Sequence, residues 1–168
     1  QKQIENSEEE IGKKEEDILV GMDEADRLDG VFKSSGLVGP LHGIPLIMKD
    51  QCDIAEMPTT MGSVLFEDHM PGRDSFVARK LKKAGAIFIA KATLGEMGAG
   101  DTHGSLFGST RNVYDLDCTA GGSSGGTAAA VSANFGAAGI GLSLLGCGEH
   151  VGERADLLEA VALIEGAP

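Results

Sequence analysis

The chain has 168 residues, enough for one domain, with 14 Lys+Arg against 26 Asp+Glu and a formal net charge of −12. That balance disfavours nucleic acid and anionic membrane surfaces, which are bound through clustered Lys and Arg. Hydrophobic residues at 42% and charged residues at 24% describe a soluble globular chain, and no apolar run approaches the ~18 residues that span a bilayer.

Residues 1–30 hold 4 basic and 11 acidic residues and read as an acidic N-terminal helix. Ile4, Ile11, Ile18 and Ala25 recur at seven-residue spacing, with Leu19, Met22 and Leu28 close to the same face. Glu8 and Glu15 interrupt that stripe, so the pattern predicts a solvated helix packed by its C-terminal half rather than a coiled coil. Gly30 and then Ser34-Ser35-Gly36 are expected to end it, leaving 31–168 as a single domain.

The middle of the chain alternates strands and helices. The run from Ile44 to Met48 predicts a strand ending at Lys49-Asp50. Asp74 is placed to cap a helix through Val77, Leu81 and Lys83, with Gly85 just past its end. Residues 86–90 predict a second buried strand, after which Thr93 would cap a short helix containing Leu94 and Met97. Beyond the loop 98–120 comes Gly121-Gly122-Ser123-Ser124-Gly125-Gly126, then a small-residue helix over 127–134 and a short strand near 137–142. Ala128, Ala129 and Ala130 would let that helix lie close against the sheet. Arg154–Ile164 has the spacing of an amphipathic helix. Strands spaced by helices predict an α/β fold whose sheet is at least partly parallel.

Gly is abundant, 25 residues, with no collagen-like period, and the glycines cluster beside apolar runs. Cys52, Cys118 and Cys147 are too irregular for a disulfide framework or a zinc site, and His42, His69, His103 and His150 lack metal-ligand spacing. The expectations are no metal, no cofactor and a reducing cytoplasmic location. Asp101 and Arg111 are expected to pair and hold the loop 98–120, and His42 to pack structurally.

The strongest chemical feature is the glycine-serine loop. Its glycines permit close backbone approach, its hydroxyls can donate or accept, and the following helix turns its positive end toward it. A tight turn, an anion site and a catalytic loop are all open readings. The Lys of a P-loop and the spacing of a dinucleotide loop are both missing. Lys49, at the end of an apolar strand, is either an ordinary ion-paired residue or a desolvated base able to activate a hydroxyl without histidine.

One stretch is specific. Gly39-Pro40-Leu41-His42-Gly43-Ile44-Pro45-Leu46-Ile47-Met48-Lys49-Asp50 resembles the opening motif of the amidase signature family. Met57-Pro58-Thr59-Thr60, Gly62-Ser63, Lys82-Lys83-Ala84-Gly85-Ala86, Lys91-Ala92-Thr93, Glu96, Thr110-Arg111-Asn112 and Gly121 to Gly126 follow in the family's order, over about residues 37–141. The resemblance implies a partial amidase-signature fold, a mixed sheet flanked by helices. It implies hydrolysis of a small-molecule carboxamide by a Ser–cis-Ser–Lys triad, with Lys49 as base, Ser123 as the bridging serine after a cis bond, and Ser124 assisting. Gly121, Gly122, Ser124, Gly125 and Gly126 would form the substrate loop.

The third catalytic position departs from the family. After Gly139-Ile140-Gly141 the family continues with Thr-Asp-x-Gly-Gly-Ser, whose last serine attacks and whose N–H groups form the oxyanion hole. Here Leu142-Ser143-Leu144-Leu145-Gly146-Cys147 follows, so family spacing lands on Cys147, and Leu145 would crowd the oxyanion site. Three readings stand: Cys147 as a replacement nucleophile, an internal deletion whose junction is 142–150, or drift in an inactive relative. Weak or absent activity is the expectation, with unpaired sheet edges favouring self-association. The rivals to an enzyme are a non-catalytic association fragment and an anion-binding module on residues 121–126.

Overall fold

The computed structural model describes residues 21–141 together with the backbone of Leu144–Leu145. Residues 21–35 are helical (α1), so the helix passes through Gly30 and ends at Gly36, whose φ of 84° suits glycine. The part of the acidic helix before residue 21, and the helix expected over 154–164, lie outside the described residues. No described helix is long and apolar enough to cross a membrane.

In chain order the strands are β1 (Pro45–Lys49), β2 (Ile87–Ala92), β3 (His103–Gly104), β4 (Gly108–Ser109), β5 (Gly122–Ser123), β6 (Ala138–Ile140) and β7 (Leu144–Leu145). The central sheet has the order β2-β1-β6, and both of its pairings are parallel. β1 is central and is buried on both faces, as its unbroken apolar run requires. On one face Leu46, Met48, Phe88 and Ile140 pack with Ala78 and Leu81 of α2 (Phe76–Lys83) and with Cys52, Ile54 and Met57 of the loop after β1. Each fully buried Leu, Ile, Met or Phe side chain among them contributes about 1.5–3 kcal/mol. The N-cap of α2 is Ser75, which accepts from Ala78 N–H at 3.3 Å. Asp74, predicted for that role, instead accepts from Ala55 N–H at 2.9 Å and from Lys82 at 3.0 Å, tying the loop to the helix.

On the opposite face lies α3 (Gly125–Ser132). Gly139 of β6 faces Thr127 and Val131 of the helix, Gly126 packs on Thr93 just past β2, Gly125 packs on Thr102, and Ala128, Ala129 and Ala130 are half-buried. A second correction concerns Thr93. It caps no helix, because the short 3₁₀ turn Glu96–Gly98 starts from Gly95, and Thr93 Oγ1 pairs with Thr110 Oγ1 at 2.7 Å. Among the described residues there are also two small antiparallel ribbons, β3 with β4 and β5 with β7.

Candidate active site

Alternation along β1 sends Ile47 and Lys49 to the α3 face, and Leu46 and Met48 to the α2 face. Lys49 is the last residue of the strand, at the carboxyl end of the parallel sheet, where α/β folds place their sites. None of its surface is exposed. Its Nζ donates to Ser123 Oγ at 2.7 Å. Burial pushes the Lys49 pKa below that of an ordinary lysine, while the Cys52 thiol nearby acts in the other direction.

Ser123 is buried in β5, and the Gly122–Ser123 peptide bond is cis. Its carbonyl accepts from Gly95 N–H at 2.9 Å, and its backbone pairs with Leu144 of β7. The glycines around it make close approaches to the chain's own backbone and side chains. A Cβ on Gly122 would meet Gly100 and Asp101, one on Gly125 would meet Thr102, and one on Gly126 would meet Thr93. Gly125 N–H donates to Thr102 Oγ1 at 2.8 Å, and Gly121 has a φ of 75°. Ser124, buried, is the N-cap residue of α3 and packs against Gly141 at the end of β6.

Lys49, Gly121, Gly122, Ser123, Ser124, Gly125 and Gly126 thus converge on one end of the sheet. Cys147, Ser143 and the Leu145 side chain lie outside the described residues. The Asp101–Arg111 pair does not form among them: Asp101 accepts from Thr119 Oγ1 at 2.8 Å, and Arg111 bridges to Thr119 through the backbone. That contact closes the base of the 98–120 loop in place of the ion pair. His42 is structural, accepting from Val38 N–H at 3.1 Å and stacking at a tilt on Phe32.

Two features escaped the sequence reading. Glu96 accepts from Ser105 N–H and Oγ, each at 2.9 Å, and a bond from the Ser63 hydroxyl, followed by these two, holds its carboxyl below the usual carboxylate range. Behind Lys49, Asp50 pairs with Lys91 at 2.8 Å, both side chains under a tenth exposed. The sequence marks Lys-Asp at a strand end and the blocks at 57–60 and 91–93 separately, and says nothing of their meeting.

The family model described as Amidase matches residues 1–142. An amidase of Gibberella zeae is 44% identical over 114 residues, covering 67% of this chain and 21% of that protein. A glutamyl-tRNA(Gln) amidotransferase subunit of Acidothermus cellulolyticus is 42% identical over 107 residues, covering 63% of this chain and 21% of the relative. The structure of native peptide amidase from Stenotrophomonas maltophilia superposes with a TM-score of 0.66 at 35% identity, over 69% of this chain and 25% of that one. The chain spans about a fifth of the length of the curated relatives it matches.

Proposed function

This chain belongs to the amidase family, and on that premise we propose that it carries amide-hydrolysing chemistry: cleavage of a carboxamide C–N bond to a carboxylate and ammonia or an amine. The observation that carries the reading is the buried 2.7 Å contact between Lys49 Nζ and Ser123 Oγ. A desolvated lysine sheds its proton more readily than one in water. When neutral, Lys49 accepts the Ser123 hydroxyl proton across that contact, and Ser123 accepts the proton of the attacking group. Attack on the carbonyl carbon forms an acyl-enzyme. The same relay returns the proton to the nitrogen as the C–N bond breaks, and water then releases the carboxylate.

Family spacing puts Cys147 at the attacking position, where a thiolate is the nucleophile. The oxyanion segment departs from the family's pattern, and a lost oxyanion donor lowers kcat by about 10²–10³. Turnover is therefore expected to be weak. The substrate class is a small-molecule amide. One relative is named as part of an amidotransferase, which makes association with other chains part of the same reading. Self-association would run through β2 and β6, which bound the described sheet.

The test is ammonia release from simple amides, beside peptide mapping after exposure to p-nitrophenyl acetate. Low turnover is expected, with an acyl adduct on Cys147 or Ser123 that is lost in Lys49→Ala. Equal acylation of wild type and Lys49→Ala would overturn the role given to Lys49. An adduct on Ser123 that persists in Cys147→Ala would instead make Ser123 the attacking group.

A further inference from the structure

Ser123 is the middle residue of the run Gly121 to Gly125, and one residue outside that run holds both of its ends. Thr102 is buried, with 1% of its surface exposed. Its N–H donates to the Gly121 carbonyl at 2.9 Å, and its Oγ1 accepts from Gly125 N–H at 2.8 Å. Thr102 is fixed in turn from the loop behind it, because its carbonyl accepts from Thr110 N–H at 3.0 Å. Between the two held ends, the Ser123 carbonyl accepts from Gly95 N–H at 2.9 Å.

The bond to Gly125 meets a need that α3 leaves open. Gly125 is the first residue of that helix, and the first N–H groups of a helix have no partner inside it. Ser124, the N-cap residue, makes no capping bond. Thr102 supplies an acceptor from a different segment of the chain. Packing acts with the hydrogen bonds: a Cβ on Gly125 would collide with the Thr102 side chain, and one on Gly122 with the Gly100 carbonyl and Asp101. Residues 100–102 are therefore a bed on which the glycine-serine loop lies flush.

We propose that Thr102 is a positioning residue for this loop: by bonding both Gly121 and Gly125 it sets the path of the chain through Ser123, and so keeps Ser123 Oγ facing Lys49 Nζ. The proposal rests on the reading of Lys49 and Ser123 as a proton relay.

The test is amide hydrogen exchange of the purified full chain, read residue by residue by NMR, beside the rate of acylation by p-nitrophenyl acetate. In wild type, Gly125 N–H is expected to be protected although it opens a helix. Fast exchange there overturns the proposal with no variant needed. Thr102→Val keeps the shape of the side chain and removes the acceptor. Loss of one hydrogen bond shifts a local equilibrium by up to about tenfold. Gly95 N–H, which bonds Ser123 and not Thr102, is therefore expected to exchange up to about tenfold faster relative to Ile87 N–H, which bonds the Ile44 carbonyl at the start of β1. Acylation should slow by a similar factor. Thr102→Ser keeps the oxygen and should restore both.

A Thr102 that only stabilises the fold would speed Gly95 and Ile87 by the same factor, or would bare Gly125 and leave Gly95 as it was. Either result in a folded Thr102→Val overturns the positioning role, and so does acylation at the wild-type rate. Failure of the relay reading looks different: acylation is then equal in wild type and Lys49→Ala, while the exchange pattern at Gly95 and Gly125 stands.

Discussion

A lysine with no exposed surface is the residue around which the end of the sheet is organised. Burial disfavours its charged form, so its pKa in the folded chain lies below the unfolded value. Between those two values the unfolded chain binds more protons than the folded one, and stability rises with pH across that window. The contribution is complete above the ordinary lysine value and is lost as pH falls through the folded one. Lys49→Met, similar in volume and without the charge, is expected to flatten the rise. The wild-type curve should climb relative to the variant by up to about 1.4 kcal/mol per pH unit, the limit for one proton. Urea unfolding at pH values from about 7 to 10.5, a range that reaches the ordinary lysine value, measures both curves, and parallel curves would contradict the assignment. Lys91 is also lowered by burial, but it is common to both chains and cancels in the difference.

The helices respond to one substitution with opposite signs. Gly30 lies in α1 with open space where a Cβ would be. Gly30→Ala should therefore stabilise by about 0.5–1 kcal/mol, the helix-interior advantage of Ala. Gly126, in the first turn of α3, has the Thr93 carbonyl, amide and hydroxyl where its Cβ would go. Gly126→Ala should destabilise by about 1–3 kcal/mol, because overpacking a rigid contact outweighs propensity. Thermal or urea unfolding of the pair decides the matter, and two changes of the same sign would refute the tight packing of α3 on Thr93. Ser75→Ala provides a third element-level check. It removes the oxygen that accepts from Ala78 N–H, with an expected loss of about 1 kcal/mol.

Among the described residues the central sheet has three strands. β2 and β6 bound the described strands. Leu65, Tyr114, Leu116 and Phe135 are each at least 70% exposed. Sheet edges left unpaired and exposed apolar side chains favour pairing with another chain. Sedimentation velocity over a wide range of concentration is expected to show the average mass rising. A constant monomer mass would remove the self-association reading while leaving the site untouched.

Local features were legible in the sequence. The apolar runs at 44–48 and 86–90 became β1 and β2, and the helical spacing through Val77 and Leu81 became α2. The opening motif and the glycine-serine loop marked Lys49 and Ser123 although 74 residues separate them. Periodicity, apolar strand runs and glycine turns are properties of a few consecutive residues, so a sequence displays them directly. The partners of polar side chains are a different matter. Thr93 pairs with Thr110 instead of capping a turn, Asp74 ties down Ala55 and Lys82, Asp101 takes Thr119 over Arg111, and Asp50 finds Lys91. Likewise Gly139 of β6 makes room for Thr127 and Val131 of α3, and Thr93 takes the space beside Gly126. Each of these choices is made among groups brought together only when the sheet closes. A buried polar atom then takes whichever partner satisfies it, and a helix approaches a strand on the face that leaves room for its backbone.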